Sequence, residues 1–105
     1  MKNYAKIQEL VTKAKAGKDA AFEELLKTFK PLIINQATGI YAKGYDLDDL
    51  IQVGTIALYK AVHDYDLTKV NFPIYAAIAI KNNLECLIYI RHLKINNKSK
   101  MESIF

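Results

Sequence analysis

The chain has 105 residues, of which 51% are hydrophobic and 25% are charged, and this balance is typical of a single folded domain and excludes a disordered segment. Its apolar stretches are far shorter than the roughly 20 residues that a membrane-spanning helix needs, and the first ten residues lack the apolar core of a signal peptide. We therefore expect a cytoplasmic protein with no membrane partner. The single cysteine, Cys86, excludes an internal disulfide, and we expect its thiol to be buried.

The net charge of +4 conceals two segments of opposite sign. Residues 46–66 carry five aspartates and one lysine, whereas residues 69–100 carry six basic residues and one glutamate. A basic segment suits a polyanion such as nucleic acid, and an acidic segment suits a basic protein surface. The charge pattern therefore predicts two binding surfaces of different chemistry.

The first half of the chain shows hydrophobic residues at helical spacing. They predict one helix over residues 3–15 and a second that starts at Asp19, which we expect to be its N-cap. We expect the second helix to break near Pro31, because proline has no amide hydrogen to donate and fits best in a first helical turn. A third helix then continues to about residue 40.

A fourth helix is predicted from Asp46, because an aspartate at the N-cap accepts hydrogen bonds from the unpaired amides of the first turn. Gly54 falls on the apolar stripe of this helix, where the missing side chain allows another helix to come close. The stripe that we expect to be buried consists of Leu47, Leu50, Ile51, Gly54, Leu58, Ala61, Val62 and Tyr65.

A last helix is predicted from Pro73 to about Leu93. Residues 97–105 lose the helical period and are polar, so we expect a linker or disordered tail after a domain that spans residues 1–96. The predicted fold class is all-α, a compact bundle of four to five helices.

The outward face of the fourth helix contains Asp48, Gln52, Thr55, Tyr59 and His63, with Asp49, Val53 and Ile56 at its edges. Such a row is often only a solvated helix face. A tyrosine and aliphatic groups among short polar side chains also fit a protein-docking surface, since tyrosine offers both apolar area and a hydrogen bond. The spacing alone leaves both interpretations open.

Aromatic and basic residues alternate from the loop into the last helix: Tyr65, Lys69, Phe72, Tyr75, Lys81, Tyr89 and Arg91. Proteins that bind single-stranded nucleic acid pair cations, which contact phosphates, with rings on which unpaired bases stack. Most aromatics in a small helical domain belong to the core, and we expect Phe72 and Tyr75 to be the exceptions. A stripe with Ile78, Asn82, Glu85 and Tyr89 lies opposite the apolar side of the last helix, and Asn82 or Asn83 could bond base edges. The spacing alone favours a simple exposed polar face.

The sequence gives little support to an enzyme. His63 and His92 are far apart with no carboxylate or thiol arranged near them, and no glycine-rich phosphate loop is present. Helix capping accounts for the aspartates at 46, 48 and 49 without a metal. We expect no cofactor and no catalytic site.

Two stretches, "DLDDLIQVGTIALYKAVHDYD" and "NFPIYAAIAIKNNLECLIYIR", resemble region 2 of the bacterial sigma-70 family of RNA polymerase sigma factors. The flanking segments "AFEELLKTFKPLI" and "RHLKIN" are similar to those of alternative members, of the sigma-H-like or extracytoplasmic-function-like type. The resemblance covers roughly residues 5–96.

The resemblance implies that the fourth helix docks on the clamp coiled coil of the polymerase β′ subunit. The positions that match the family's docking motif are Asp49, Gln52, Val53, Thr55 and Tyr59. The residue before the glycine is usually glutamate in this family and is Val53 here, which removes a charge from the implied contact.

The resemblance also implies that the next segment recognises or melts the minus-ten element of promoter DNA and captures its unpaired bases. Phe72 and Tyr75 match aromatic positions of the family, and Ile78 and Ala79 fall where housekeeping members carry a tryptophan pair. Lys81, Asn82 and Glu85 match positions that read the duplex upstream. The candidate DNA-binding set consists of Lys69, Phe72, Tyr75, Ile78, Lys81, Asn82 and Glu85.

Members of this family normally carry a second helical domain that reads the minus-thirty-five element, and nothing after residue 96 could supply one. The sequence therefore predicts a transcription initiation module, or a domain cut from one, that binds RNA polymerase and promoter DNA. An anti-sigma factor is a further partner that the resemblance implies. The alternative is a sigma-like helical adaptor or decoy that binds polymerase or another protein without contacting DNA.

Overall fold

A computed structural model describes residues 4–68 and 71–96, with side chains over residues 5–68 and 71–87, and most of the described residues are helical. Within these ranges there are four helices: α1 (Tyr4–Lys15), α2 (Asp19–Thr38), α3 (Leu47–Asp64) and α4 (Phe72–Asn96). The prediction of an all-α fold with four to five helices is therefore confirmed, with four. The predicted tail, residues 97–105, lies outside the described residues.

Helix α2 runs without interruption through Pro31, so the predicted break there is wrong. Pro31 lies on the exposed side, and the missing hydrogen bond falls on the face away from the core. The opposite side buries a continuous row at i, i+4 spacing, and this burial offsets a proline cost of about 3 kcal/mol. The row consists of Ala21, Leu25, Phe29, Ile33 and Ala37.

The start of α2 also differs from expectation. Lys18 is the N-cap and makes no side-chain capping bond, while Asp19 is the first helical residue. The prediction of Asp19 as the N-cap is therefore wrong by one position. Its carboxylate still lies in the first turn, where the helix dipole favours negative charge.

The start of α3 agrees with the sequence. Asp46 Oδ1 accepts a hydrogen bond from the Asp49 amide (2.9 Å), and Asp49 Oδ2 accepts one from the Asp46 amide (3.2 Å). These reciprocal bonds form a capping box, which satisfies two amides that the helix itself leaves unpaired. The predicted N-cap is confirmed.

Gly54 brings α3 close to α2, as predicted. A Cβ atom built at this position would lie 2.7 Å from Ile33 Cγ2, closer than carbon atoms pack. The side chain of Ile33 therefore occupies the space that any other residue at position 54 would fill. The small residue fixes the separation of the two helices.

The buried stripe of α3 is confirmed except at Leu47 and Ile51. Leu47, the first residue of the helix, is 43% exposed. Ile51 is half-buried. Ala57 is buried although the predicted stripe omitted it.

Helix α4 begins at Phe72, one residue before the predicted start at Pro73. Asn71 Oδ1 accepts a hydrogen bond from the Ile74 amide (3.1 Å), and Pro73 lies in the first turn. Cys86 is exposed, so the expectation of a buried thiol is wrong. The side that packs on the core is instead formed by Phe72, Ala76, Ile80 and Leu84.

The core lies between the four helices and draws residues from each of them. Ile7 and Val11 of α1 are buried with Leu58 and Val62 of α3, and the Phe29 ring of α2 meets the Phe72 ring of α4 edge-on at 5.6 Å. Helix α3 therefore has its inner side covered and its outer side open. None of the described helices is both long and apolar enough to cross a bilayer.

Candidate functional site

One side of α3 faces solvent along its length, and we call it the α3 outer face. It is formed by Asp48, Gln52, Ile56, Tyr59 and His63, all exposed, with Thr55 half-buried among them. The predicted outward orientation of this row is confirmed. Exposed aliphatic and aromatic area here lies beside a free amide and a carboxylate.

The five positions that the resemblance assigned to polymerase docking are not equivalent in the structure. Gln52 and Tyr59 are exposed, whereas Val53 is half-buried and packs against the core. The Thr55 hydroxyl donates to the Ile51 carbonyl (2.9 Å), and the Asp49 carboxylate belongs to the capping box. Gln52 and Tyr59 are therefore the two of these five residues whose side-chain polar groups make no hydrogen bond among those described. A partner could bind these groups without first breaking a described bond.

Tyr59 is held by its neighbours although it is 52% exposed. Its ring meets the half-buried Phe22 ring of α2 edge-on at 5.3 Å and the His63 ring at 4.5 Å. A side chain supported on two sides loses less conformational entropy when a partner covers it. The sequence analysis did not identify this role of Phe22.

A shallow groove of about 250 Å³ lies beside the start of α3. The space is large enough for one large side chain and below the size of a typical small-molecule pocket. Sequence reasoning missed it, because Tyr41, which is 80% exposed, lies in a loop without a periodic pattern. The groove is lined by Ala37, Thr38, Ile40, Tyr41, Ala42, Tyr45, Leu47 and Leu50.

The loop that follows α3 is organised by a carboxylate. Asp66 Oδ1 accepts hydrogen bonds from the Thr68 amide (2.9 Å) and the Thr68 hydroxyl (2.7 Å). These bonds, that of the amide first, lower the pKa of the Asp66 carboxyl, and the nearby charge of Lys15 lowers it further. The D-x-T spacing is a local signal for this turn.

Phe72 does not offer its ring to solvent, so the expectation of an exposed Phe72 is wrong. The side chain is fully buried, with Phe29 on one side and the Tyr65 ring at 5.2 Å on another. Tyr75 is half-buried, and its ring lies 5.5 Å from that of Tyr65. Of the two predicted stacking residues, Tyr75 alone has accessible ring surface.

A second solvent-facing row lies on α4, and we call it the α4 outer face. Ile74, Ile78, Lys81, Asn82 and Glu85 are all exposed. Ile74 was not predicted, although it lies one helical turn before Ile78. Lys69 and the side chains of Tyr89 and Arg91 lie outside the described residues.

The α3 and α4 outer faces present groups for hydrogen bonding and apolar contact. Among the side chains that the structure describes, no three His, Cys, Asp or Glu groups come together to hold a metal ion. His63 lies against the ring of Tyr59 on the α3 outer face.

Comparison with known proteins gives these surfaces a context. The family model "Sigma-70 region 2" matches residues 25–93, a stretch that contains α3 and the described side chains of α4. The chain is 35% identical over 98 residues to the RNA polymerase sigma-E factor of Clostridium acetobutylicum. The aligned stretch covers 92% of this chain and 40% of that protein.

Two further relatives come from Bacillus subtilis. The RNA polymerase sigma-F factor is 31% identical over 83 residues, covering 78% of this chain and 32% of its own length. The sigma-H factor is 22% identical over 100 residues, covering 90% of this chain and 46% of its own. The chain thus spans less than half the length of each of these relatives.

Proposed function

The chain belongs to the sigma-70 region 2 family, and from this membership we propose that it acts in transcription initiation, with its α3 outer face on RNA polymerase and its α4 outer face on promoter DNA. The partner of α3 is the clamp coiled coil of the β′ subunit. The partner of α4 is the minus-ten element, with its unpaired bases. The observation on which the proposal depends is that the family match contains all of α3 and the described side chains of α4, and that each of these helices presents an exposed, chemically mixed face.

The composition of the α3 outer face supports polymerase docking. Ile56 and Tyr59 supply apolar area at the middle of the row, and Gln52 supplies an amide beside them. Exposed tyrosine and aliphatic groups gain free energy when a partner removes them from water, and the amide fixes orientation by hydrogen bonding. The bracing of Tyr59 by Phe22 prepares the surface for a rigid helical partner.

The α4 outer face supports contact with DNA through different groups. Lys81 is an exposed cation for phosphate, and Asn82 is an exposed amide that can bond base edges. Ile74, Ile78 and the accessible part of Tyr75 offer apolar surface to unstacked bases. Phe72, which is buried, supports this surface from below.

The polymerase contact is tested by titrating the chain with an isolated β′ clamp coiled coil. Gln52→Ala and Thr55→Arg, both on the α3 outer face, should weaken saturable binding about tenfold or more, as central interface residues do. Thr12→Arg is the matched control, because the Thr12 hydroxyl also bonds the carbonyl four residues earlier, on α1. Equal effects of the two Thr→Arg changes would refute docking through α3.

The DNA contact is tested by fluorescence anisotropy with a labelled single-stranded oligonucleotide, with and without the coiled coil. Affinity should fall steeply between about 50 and 200 mM salt, because phosphate contacts release counterions. Lys81→Gln should reduce the slope of log affinity against log salt by about 1. Lys27→Gln, at an exposed position of α2, should leave the slope unchanged. A flat salt response would refute DNA binding.

The second candidate is a sigma-like adaptor that binds polymerase or another protein and never contacts DNA. Two observations favour it: Glu85 is exposed on the α4 outer face, where it repels phosphate, and Phe72 is buried. This alternative would be established if the chain binds the coiled coil but does not bind single-stranded DNA.

A further inference from the structure

Lys15, the last residue of α1, ties that helix to the end of α3. Its Nζ donates to the backbone carbonyl oxygens of Tyr65 (2.9 Å), His63 (3.0 Å) and Val62 (3.5 Å). An ammonium group has three N–H donors, and the last carbonyls of a helix accept no hydrogen bond from an amide of the same helix. A cation at this end is also favoured by the helix dipole.

Tyr65, which receives the shortest of these bonds, is the first residue after α3 and is itself buried. The Gln8 side chain of α1 donates to its hydroxyl at 3.5 Å. Residues of α1 therefore hold Tyr65 at both its backbone and its side chain. The ring of Tyr65 lies 5.2 Å from that of Phe72 and 5.5 Å from that of Tyr75.

These contacts form a continuous path from α1 to the start of α4. Lys15 fixes the carbonyls at the end of α3, these fix the place of Tyr65, and the Tyr65 ring supports Phe72 and Tyr75. The first part of the loop after Tyr65 is held by the two hydrogen bonds between Asp66 and Thr68. The family match begins at residue 25, so α1 and Lys15 precede the segment that carries the family's motif.

We propose that Lys15 is a positioning residue, which sets the α3–α4 loop and the aromatic support of Tyr75 so that the α4 outer face is presented to unpaired DNA. The proposal rests on the proposed function of that face. Lys15 itself contacts protein carbonyls and not phosphate. Removing its donors should therefore disturb the loop and DNA affinity while leaving unchanged the part of the α3 outer face from Gln52 to Tyr59, which precedes the carbonyls that Lys15 bonds.

The experiment compares Lys15→Met with Lys13→Met, since each removes one positive charge from α1. Lys13 is exposed and pairs with Glu9 at 3.4 Å on the same helix. Lys15→Met should weaken single-strand binding about tenfold more than Lys13→Met, the effect of losing hydrogen bonds to a charged donor. Coiled-coil affinity should be the same in both, and Lys15→Arg should restore DNA affinity.

The salt dependence of DNA binding separates positioning from a direct phosphate contact. In Lys15→Met the slope of log affinity against log salt should equal that of the parent, because no phosphate contact is lost. A slope reduced by about 1 would overturn the proposal in favour of a phosphate contact. Equal DNA affinities of the two lysine variants would also overturn it, as would a parallel loss of coiled-coil binding.

A measurement without DNA distinguishes this proposal from the function on which it rests. In NMR spectra, Lys15→Met should shift the amides of residues 65–72 and the ring signals of Tyr75, and Lys13→Met should not. The pKa of the Asp66 carboxyl should rise in the same variant, because a neighbouring cation is removed. If the parent fails to bind DNA while these shifts appear, the proposed function fails and the structural role of Lys15 stands. If they do not appear, the positioning role itself is wrong.

Discussion

Gly54 determines how closely two helices of this protein approach. The position is buried on α3, and the Ile33 side chain fills the volume that a Cβ would need. An alanine at 54 would raise helix propensity by up to about 1 kcal/mol and yet push Ile33 and α2 outward. The packing effect exceeds the propensity effect at this site, because at a 2.7 Å carbon–carbon distance either the β-branched, fully buried side chain of Ile33 or the two helices must move.

Gly54→Ala should therefore lower the free energy of unfolding by about 1–2 kcal/mol, the overpacking cost less the propensity gain. Gly39→Ala is the control, since its added Cβ would meet only the Gln36 carbonyl oxygen at an ordinary 3.6 Å and its φ is −83°. Urea unfolding followed by far-UV circular dichroism measures both. A Gly54→Ala variant as stable as the parent would show that α2 and α3 separate without cost.

At the scale of the element, the acidic start of α3 is a structural cap before it is a docking group. The carboxylates of Asp46 and Asp49 each accept a hydrogen bond from the other residue's backbone amide. Asp48 makes no side-chain hydrogen bond among those described. The cap sets where α3 begins. It therefore also sets the register in which Gln52 and Tyr59 face outward.

Asp46→Ala should destabilise the protein by about 1 kcal/mol, because the amide of Asp49 loses its acceptor. Asp46→Asn should remain close to the parent, since the asparagine carbonyl oxygen caps nearly as well without the charge. Thermal unfolding of the two variants separates the hydrogen bond from the charge. An asparagine variant as unstable as the alanine variant would assign the effect to the helix dipole.

At the scale of the whole molecule, α1 is part of the same cooperative unit as the family segment that follows it. Ile7, Val11 and Ala14 are buried in the common core, and Lys15 and Gln8 bond to the end of α3. A helix that shares a core in this way is expected to unfold together with the rest.

Ile7→Ala should lower the free energy of unfolding by about 2–5 kcal/mol and leave a single transition. The neighbouring Lys6→Ala, at an exposed position, should change it by less than about 0.5 kcal/mol. Coincident urea curves from circular dichroism and from tyrosine fluorescence would agree with one unit. Two separated transitions would show that α1 docks on a domain that folds without it.

The sequence by itself determined the features that depend on neighbours along the chain. The helical period of the buried residues, the Asp46 cap, the turn before Pro73 and the outward row of α3 each follow from interactions within about one helical turn. For the same reason the sequence indicated that Gly54 was a close-packing position, although it did not indicate which side chain would meet it.

Only the tertiary structure decided what covers each helix. Pro31 stays inside α2 because the core holds both halves of that helix, and Phe72 is buried because Phe29 and Tyr65 close over it. Lys15 bonds to a carbonyl 50 positions away along the chain. Such contacts depend on how whole helices pack, which no local pattern encodes, so the residues that position the candidate DNA surface became visible only in the folded molecule.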